Sequence, residues 1–417
     1  SRAIFTAFLS ACLIFLMGIN PFVKKWKNLV LYACGGFFLT LIVSYVFLCF
    51  FEVQLSFYLI AVFSLFFVAK YLLNESGVEK AKPRKDEDTF ILGSESGQLE
   101  FYYPRDNFMV LGGAGSGKTA SIGKPILEQY IRYGWAGFIY DYKDYDYTKT
   151  AWNLVQKYKY PYKFYYISFT DMSRTYRFNI LNKNVIRNET MLFQAMTDFF
   201  NAMKPEKGNT DEWFQAALGL LCGVAVRFYK FQGDYEKYCT LPHILNFILM
   251  ATPEQLTRFL EGDMMSKMKA GAFLGSKGSE RTQSSVIFSI NNYISNLATN
   301  KNVCYVLSGN DFIYDLIDPE DPKLFAVSNN FAIESMISPI VAMLVPLAAR
   351  RIEFGNRVKF AFVLDEMTTV KVNDFQSLPS VLREYGVSFL VLTQSGTKFD
   401  KLYGKEDRVS IMANFAN

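Results

Sequence analysis

Gly112, Gly113, Ala114, Gly115, Ser116, Gly117, Lys118 and Thr119 spell G-x-x-x-x-G-K-T inside the stretch "GGAGSGKTAS", which runs on through Ala120. That spacing suits one task. Glycines let successive backbone N–H groups turn toward phosphate oxygens, and a helix starting just behind them adds the positive end of its dipole. Lys118 is then placed to reach the terminal phosphates of ATP, and the Thr119 hydroxyl to ligate Mg²⁺. A second reactive pair, Asp365 and Glu366, closes the apolar run "RVKFAFVLDEM" (357–367). Asp365 would hold Mg²⁺ through water, and Glu366 would orient or deprotonate an attacking water. Gln394 ends another apolar run, "YGVSFLVLTQS" (385–395), where an amide can sense the γ-phosphate or the lytic water. Asp141, counted with the nucleotide-binding residues, and Lys143 stand at the end of "WAGFIYDYKDYD" (135–146).

These groups need a scaffold that brings them together. "NFMVLG" (107–112) reads as a short strand and 118–134 as the helix behind the glycine loop, which is the context the phosphate loop requires. The run 357–367 is continuously apolar, as expected of a parallel strand buried on both faces with its acids at the C-terminal edge. Ligands of open α/β sheets bind at that edge. Further strands are expected at 135–146, 163–169, 323–329 and 385–395, with helices at 338–352 and 375–386. The order of phosphate loop, acid-bearing strand and Gln-bearing strand predicts an α/β fold with a RecA-like P-loop ATPase core. Such cores commonly work as rings in which an arginine of one subunit reaches a neighbour's γ-phosphate. Arg105 and Arg383 are the candidates, and Arg383 has the alternative use of complementing the C-terminal dipole of its own helix.

About 150 residues separate the strands at 163–169 and 323–329. Helical patterns fill most of them, at 189–203, 211–229, 240–251, 253–262 and 279–298, and Thr252-Pro253 is a helix-start signal. This predicts an all-α domain inserted into the sheet. The one histidine, His243, lies in it and reads as structural.

The chain has 417 residues, 51% of them apolar and 17% aromatic, including 40 Phe and 26 Tyr. That richness prompts a search for membrane spans. Three apolar runs open the sequence, at 3–23, 29–51 and 53–69. A bilayer core needs roughly 20 apolar residues as helix, so the first two qualify and the third is marginal. "KKWKN" (24–28) and "EKAKPRK" (79–85) are basic, which assigns both to the cytoplasm and leaves Glu52 on the far side. The expected order is transmembrane helices over 1–73, a charged linker over 74–88, a first part of the nucleotide-binding domain over 89–188, the all-α insertion over 189–319, and a second part over 320–417. The start at Ser1 without a methionine reads as a piece of a longer protein. The net charge of +5 alone is weak evidence for nucleic acid. The six cysteines, at 12, 34, 49, 222, 239 and 304, form no C-x-x-C pair, which argues against a structural zinc site.

Taken together, the arrangement resembles the type IV coupling proteins, the membrane-anchored ATPases of conjugation and type IV secretion, in the style of those on mobile elements of the Bacteroides group. The likeness covers essentially the whole chain. The residues that carry it are the membrane helices before "GGAGSGKTAS", the strand-end D-x-K at Asp141 and Lys143, and "DEWFQAALGLL" (211–221) at the opening of the helical domain. "VLDEM", the spacing from Arg383 to Gln394, and "KFDKLYG" (398–404) complete it. Three positions depart from the family pattern: Ile180 of "FNILN" stands where Asn-Pro is usual, and Asp144 and Tyr145 replace Gly-Glu. The chain ends at "IMANFAN" (411–417), ahead of the last sheet strands expected of the family. The resemblance implies a homo-hexameric, ATP- and Mg²⁺-dependent pump at the bacterial inner membrane. It would receive a relaxase bound to single-stranded DNA and feed it to the subunits of a type IV secretion channel. Two other uses of the same parts are a recruiter of protein effectors that handles no DNA, and a septal pump for double-stranded DNA.

Overall fold

The computed structural model describes residues 88–94, 97–204, 212–231, 233–353 and 355–417. The three apolar runs and the linker up to residue 87 lie outside them. Among the described residues no helix is long and apolar enough to cross a membrane.

A hairpin of β1 (Phe90–Ser94) and β2 (Gly97–Phe101) precedes the main sheet. Six strands follow: β3 (Phe108–Leu111), β4 (Ala136–Asp141), β5 (Lys163–Ile167), β6 (Lys323–Ser328), β7 (Phe360–Leu364) and β8 (Val387–Thr393). They form one parallel sheet in the order β3-β8-β7-β4-β6-β5. The strand that leads to Gln394 therefore lies between the phosphate-loop strand and the strand that leads to Asp365.

Alternation along the strands divides the side chains between two cores, because successive residues of a strand point to opposite faces. On one face Ile139, Leu324, Ala326, Ala361, Val363, Leu390 and Leu392 pack against α1 (Lys124–Arg132) and α2 (Asp146–Lys157). On the other face stand Phe138, Tyr140, Phe325, Phe360, Phe362 and Phe389. Phe325, Phe138, Phe362 and Phe389 are direct register partners across β6, β4, β7 and β8. Their ring centroids follow one another at 5.6, 6.0 and 4.7 Å. Aromatic pairs at such separations contribute about 0.5–1.5 kcal/mol each beyond area burial. Part of the aromatic richness that directs a reader toward membrane is thus spent on this ladder.

The helical insertion comprises α3 (Glu189–Ala202), α4 (Glu212–Tyr229), α5 (Tyr235–Tyr238), α6 (Leu241–Met250), α7 (Pro253–Leu260), α8 (Met264–Lys269), α9 (Gly271–Gly275), α10 (Glu280–Ala298) and α11 (Lys301–Val306). Its starts are chemically marked. Asn188, Thr240, Thr252, Asp263 and Asn300 each accept a backbone N–H of the following turn, and Thr252 with Gln255 makes a full capping box. Gly223 of α4 lets α8 and its neighbours approach closely: a Cβ there would lie 2.9 Å from the Ala270 side chain and 3.0 Å from the Ser266 carbonyl. The insertion is not a detached lobe. Leu220, Ile244 and Ile290 belong to the same core as the phenylalanine ladder, and α3 packs along α12 (Glu334–Ala349).

The chain closes with α13 (Leu378–Arg383), α14 (Gly396–Tyr403) and α15 (Lys405–Ala413). The helix expected over 375–386 is thus half as long, since Asp374 takes a left-handed φ of 56° and the helix begins only at Leu378. The hairpin and the helices α2, α5, α8, α9, α11, α14 and α15 are absent from the sequence reading. Most are shorter than the window in which periodicity separates helix from strand.

Candidate nucleotide site

Parallel register puts the ends of the strands on one line. Leu111 pairs with Thr393, Leu364 with Val391, Tyr140 with Leu364, and Asp141 with Ser328. The residues just beyond are Gly112, Gln394, Asp365, Lys143 and Asn329, gathered from positions far apart in the chain. Backbone bonds tie the edge together. The Gly112 N–H donates to the Thr393 carbonyl at 3.1 Å, the Asp365 N–H to Tyr140 at 3.0 Å, and the Asn329 N–H to Asp141 at 2.8 Å.

Gly113 through Gly117 are exposed at the head of this edge. Gly117 turns the chain with φ 79°, a left-handed value that glycine adopts without a steric cost. Lys118–Gly123 then winds as a wide π-turn that no side chain caps, before α1 continues as regular helix. Such turns concentrate at functional sites. The second close approach is at Gly123, where a Cβ would lie 2.1 Å from the Tyr147 hydroxyl. A helix N-terminus open behind exposed glycines is the geometry that binds anions.

Asp365 and Glu366 are 0% and 2% exposed, yet none of their four carboxylate oxygens has a hydrogen-bond partner. Burial, above all, pushes the Asp365 carboxyl up to about 7. Lys143 and Lys118 pull it down, while Asp141 and Glu366 push it further up. Buried carboxylates are ordinarily paired. A bare buried pair beside a phosphate loop is the donor set a hard cation takes up, since Mg²⁺ prefers oxygen ligands. Thr119, with its hydroxyl on the same edge, fits that set. Glu366 also sits in a left-handed backbone conformation, φ 46° and ψ 52°. The turn is held by the Thr369 N–H, which donates to the Glu366 carbonyl at 2.9 Å, and Thr369 in turn meets the Tyr140 hydroxyl at 2.7 Å.

Asp141 is as buried as Asp365 but fully engaged. One oxygen accepts the Thr148 N–H and hydroxyl, both at 2.8 Å, and the other accepts the Lys143 N–H at 3.2 Å. Its carboxyl is raised by burial, and those bonds oppose the rise. It pins the loop between β4 and α2. Thr148 is a residue that sequence reasoning missed; nothing but the fold brings it under Asp141. From that pinned loop the Lys143 ammonium reaches the Thr119 hydroxyl at 3.4 Å. Asp144 and Tyr145, the two departures from the Gly-Glu pattern, have φ values of 42° and 63°. A position that suits glycine is thus held by Asp144, whose carboxylate accepts the Asn330 amide at 2.7 Å. At the third departure, Asn179 makes the turn by accepting the Leu181 N–H at 2.9 Å, and Ile180 fills the core at 0% exposure.

Gln394 is exposed at the end of β8 and accepts the Lys398 ammonium at 3.0 Å. The two arginines lie elsewhere. Arg383 pairs with Asp106 at 3.2 Å, beside Arg105 and ahead of both β3 and β8. The seven residues of β8 put about 20 Å between its ends at ~3.3 Å per residue. Neither arginine is brought to the phosphate loop of its own chain. His243 packs edge-on to Phe228 and Tyr238, with centroids at 5.1 and 5.4 Å, and burial lowers its pKa. A cavity of about 620 Å³ lies at the far end of the sheet, lined by residues such as Lys183, Arg187, Asp315 and Lys323, and contains none of the sequence-predicted site residues.

The family model described as type IV secretory system conjugative DNA transfer matches residues 61–417. No curated protein matches the chain. Among solved structures, the chain is similar to the plasmid coupling protein TrwB in complex with the ATP analogue ADPNP, at 18% identity and a TM-score of 0.58 over 75% of this chain and 69% of that one. It is similar to TrwB with ADP and Mg²⁺ at 18% identity and 0.61, covering 83% and 75%. The unbound monoclinic form of TrwBdeltaN70 gives 17% identity and 0.61, covering 83% and 74%. At these identities the likeness is one of fold.

Proposed function

From the premise that this chain belongs to the type IV secretory system conjugative DNA-transfer family, we propose that it is the coupling ATPase of such a system. It binds ATP with Mg²⁺ and uses hydrolysis to recruit a relaxase carrying single-stranded DNA and drive it into the secretion channel. Gly112 to Ala120 hold the phosphates, with Lys118 on the terminal ones. Thr119 and Asp365 hold the metal, whose charge supplies electrostatic stabilisation of the transferred phosphoryl group. Glu366 orients and deprotonates the attacking water, and Gln394 senses the result. The observation that carries this reading is the buried, unpartnered pair Asp365–Glu366 on the same sheet edge as the glycine loop. TrwB, whose fold the chain shares, is described with ADPNP and with ADP and Mg²⁺, and that supports the nucleotide assignment.

The arginines support assembly into a ring, proposed here as a homo-hexamer at the inner membrane. Arg105 and Arg383 sit at the opposite end of the strands from their own phosphate loop, so a catalytic role for either requires a neighbouring chain's nucleotide. The test is phosphate release by the purified full chain with and without single-stranded DNA. DNA should stimulate hydrolysis, and Lys118→Ala should abolish it. Robust hydrolysis indifferent to DNA but responsive to an effector protein would replace this reading with protein secretion.

A further inference from the structure

We propose that Lys143 holds the metal's place in the nucleotide-free site, and that the metal arriving with nucleotide displaces it. The inference rests on the assignment of Thr119 and Asp365 as metal ligands. The Lys143 ammonium lies 3.4 Å from the Thr119 hydroxyl oxygen. A magnesium ion would bond to that same oxygen at about 2.1 Å. The two cations cannot share the oxygen, because an ammonium about 4 Å from a divalent ion disfavours it roughly thirtyfold even at the dielectric constant of water. Lys143 is also the foremost cation acting on Asp365, ahead of Lys118. It therefore offsets the charge of the buried acid, as the metal would. The bond from its own N–H to Asp141 ties the loop on which it stands to the end of β4.

The displaced side chain has somewhere to send the signal. Lys143 is followed by two left-handed residues, Asp144 and Tyr145. Residues held this way store of the order of 1–3 kcal/mol and persist because their surroundings hold them. Asp144 donates its N–H to the Asn329 carbonyl at 3.3 Å and accepts the Asn330 amide at 2.7 Å. The next residue, Phe331, is 88% exposed. Both bonds are made by Asp144, so a displacement of Lys143 reaches this loop, with its exposed aromatic ring, only through its left-handed neighbour. Lys143 acts as a positioning residue, with the metal as its competitor.

The test is titration of Mn²⁺ alone into the nucleotide-free full chain, followed by the electron paramagnetic resonance signal of free Mn²⁺. Lys143→Met should tighten Mn²⁺ binding about tenfold, and Lys143→Arg should keep the wild-type affinity. Lys143 is exposed, so neither change threatens the fold. A Lys143→Met variant that binds Mn²⁺ no more tightly than wild type, while Asp365→Asn still weakens Mn²⁺ binding in the presence of ADP, overturns the proposal and leaves the metal site standing. If Asp365→Asn leaves Mn²⁺ binding with ADP unchanged, the metal assignment fails and takes the proposal with it. A second readout is the fluorescence of a Phe331→Trp variant. Its emission should shift when Mg²⁺ and ADP are added, and the shift should vanish when Lys143→Met is introduced. An identical shift with and without Lys143 breaks the link to the loop.

Discussion

Removing the charge of Asp365 should stabilise the nucleotide-free protein, and the gain should grow with pH. The carboxyl is 0% exposed and has no hydrogen-bond partner on either oxygen. Burial raises it from the ordinary 3.8 to about 7. An acid whose folded-state pKa is raised holds its proton more tightly in the folded state than in the unfolded one. Its contribution to stability is therefore full below pH 3.8 and is lost as pH rises through about 7. At 1.36 kcal/mol per unit, the wild type bears a cost on the order of 2 kcal/mol at pH 5 and about 4 kcal/mol at pH 8. Asp365→Asn keeps the shape and removes the titration. The advantage of the variant should then be about 2–3 kcal/mol larger at pH 8 than at pH 5. For a folded part of this size that corresponds to about 5 °C in Tm. The assay is thermal melting of wild type and variant without nucleotide, in matched buffers from pH 5 to 9. Because both proteins carry the same remaining groups, the difference isolates Asp365. An advantage that is independent of pH, or a variant less stable at pH 8, refutes the argument that this carboxylate is buried at its own expense.

Three further outcomes follow from the same geometry. Thr148→Val removes the hydroxyl donor from buried Asp141 and should cost about 1–3 kcal/mol in denaturant unfolding, with the fold retained. Glu366→Ala and Glu366→Gly should both lose hydrolysis, but melting should rank the glycine variant above the alanine one by about 1 kcal/mol, since φ 46° strains only the latter. Phe362→Ala, in the middle of the four-ring ladder, should destabilise by about 3–5 kcal/mol in the same unfolding assay.

Much of this site was legible because its chemistry is local. The glycine loop, Lys118 and Thr119 are contiguous, and apolar runs ending at Asp141, Asp365 and Gln394 announce strands whose ends converge. What the sequence withheld depends on register. Thr148 becomes the partner of Asp141 only because α2 begins beneath the end of β4, and a threonine seven residues after an aspartate carries no signal of its own. The strain at Asp144 and Tyr145 was visible only as a departure from an expected Gly-Glu; the φ values explain it. The short helices of the insertion, such as Met264–Lys269 and Gly271–Gly275, are too brief for periodicity and are set by packing against α4. The aromatic content was legible as a quantity and not as a place, since the phenylalanine ladder exists only once four strands are in register.

This sheet edge carries several costs by itself. Asp365 and Glu366 are buried bare, Glu366, Asp144 and Tyr145 are left-handed, and an exposed ammonium stands 3.4 Å from the Thr119 hydroxyl. The apolar faces of the sheet offset this. Ile139, Val363 and Leu392 lie under one face and the Phe138 and Phe362 rings under the other, all within a few residues of the edge. A ligand that supplies positive charge to the two acids and negative charge to the glycine loop removes the electrostatic part of that cost at once. Binding to the folded state alone adds stability of RT ln(1 + [L]/Kd), about 2.7 kcal/mol at a hundredfold excess over Kd. On the displacement proposed above, the same occupancy would move Lys143, the residue before the bonds of Asp144 to Asn329 and Asn330. Strain and bare charge at this edge therefore widen the energy difference between the empty and the filled states, and a ligand can shift a conformational equilibrium only by such a difference.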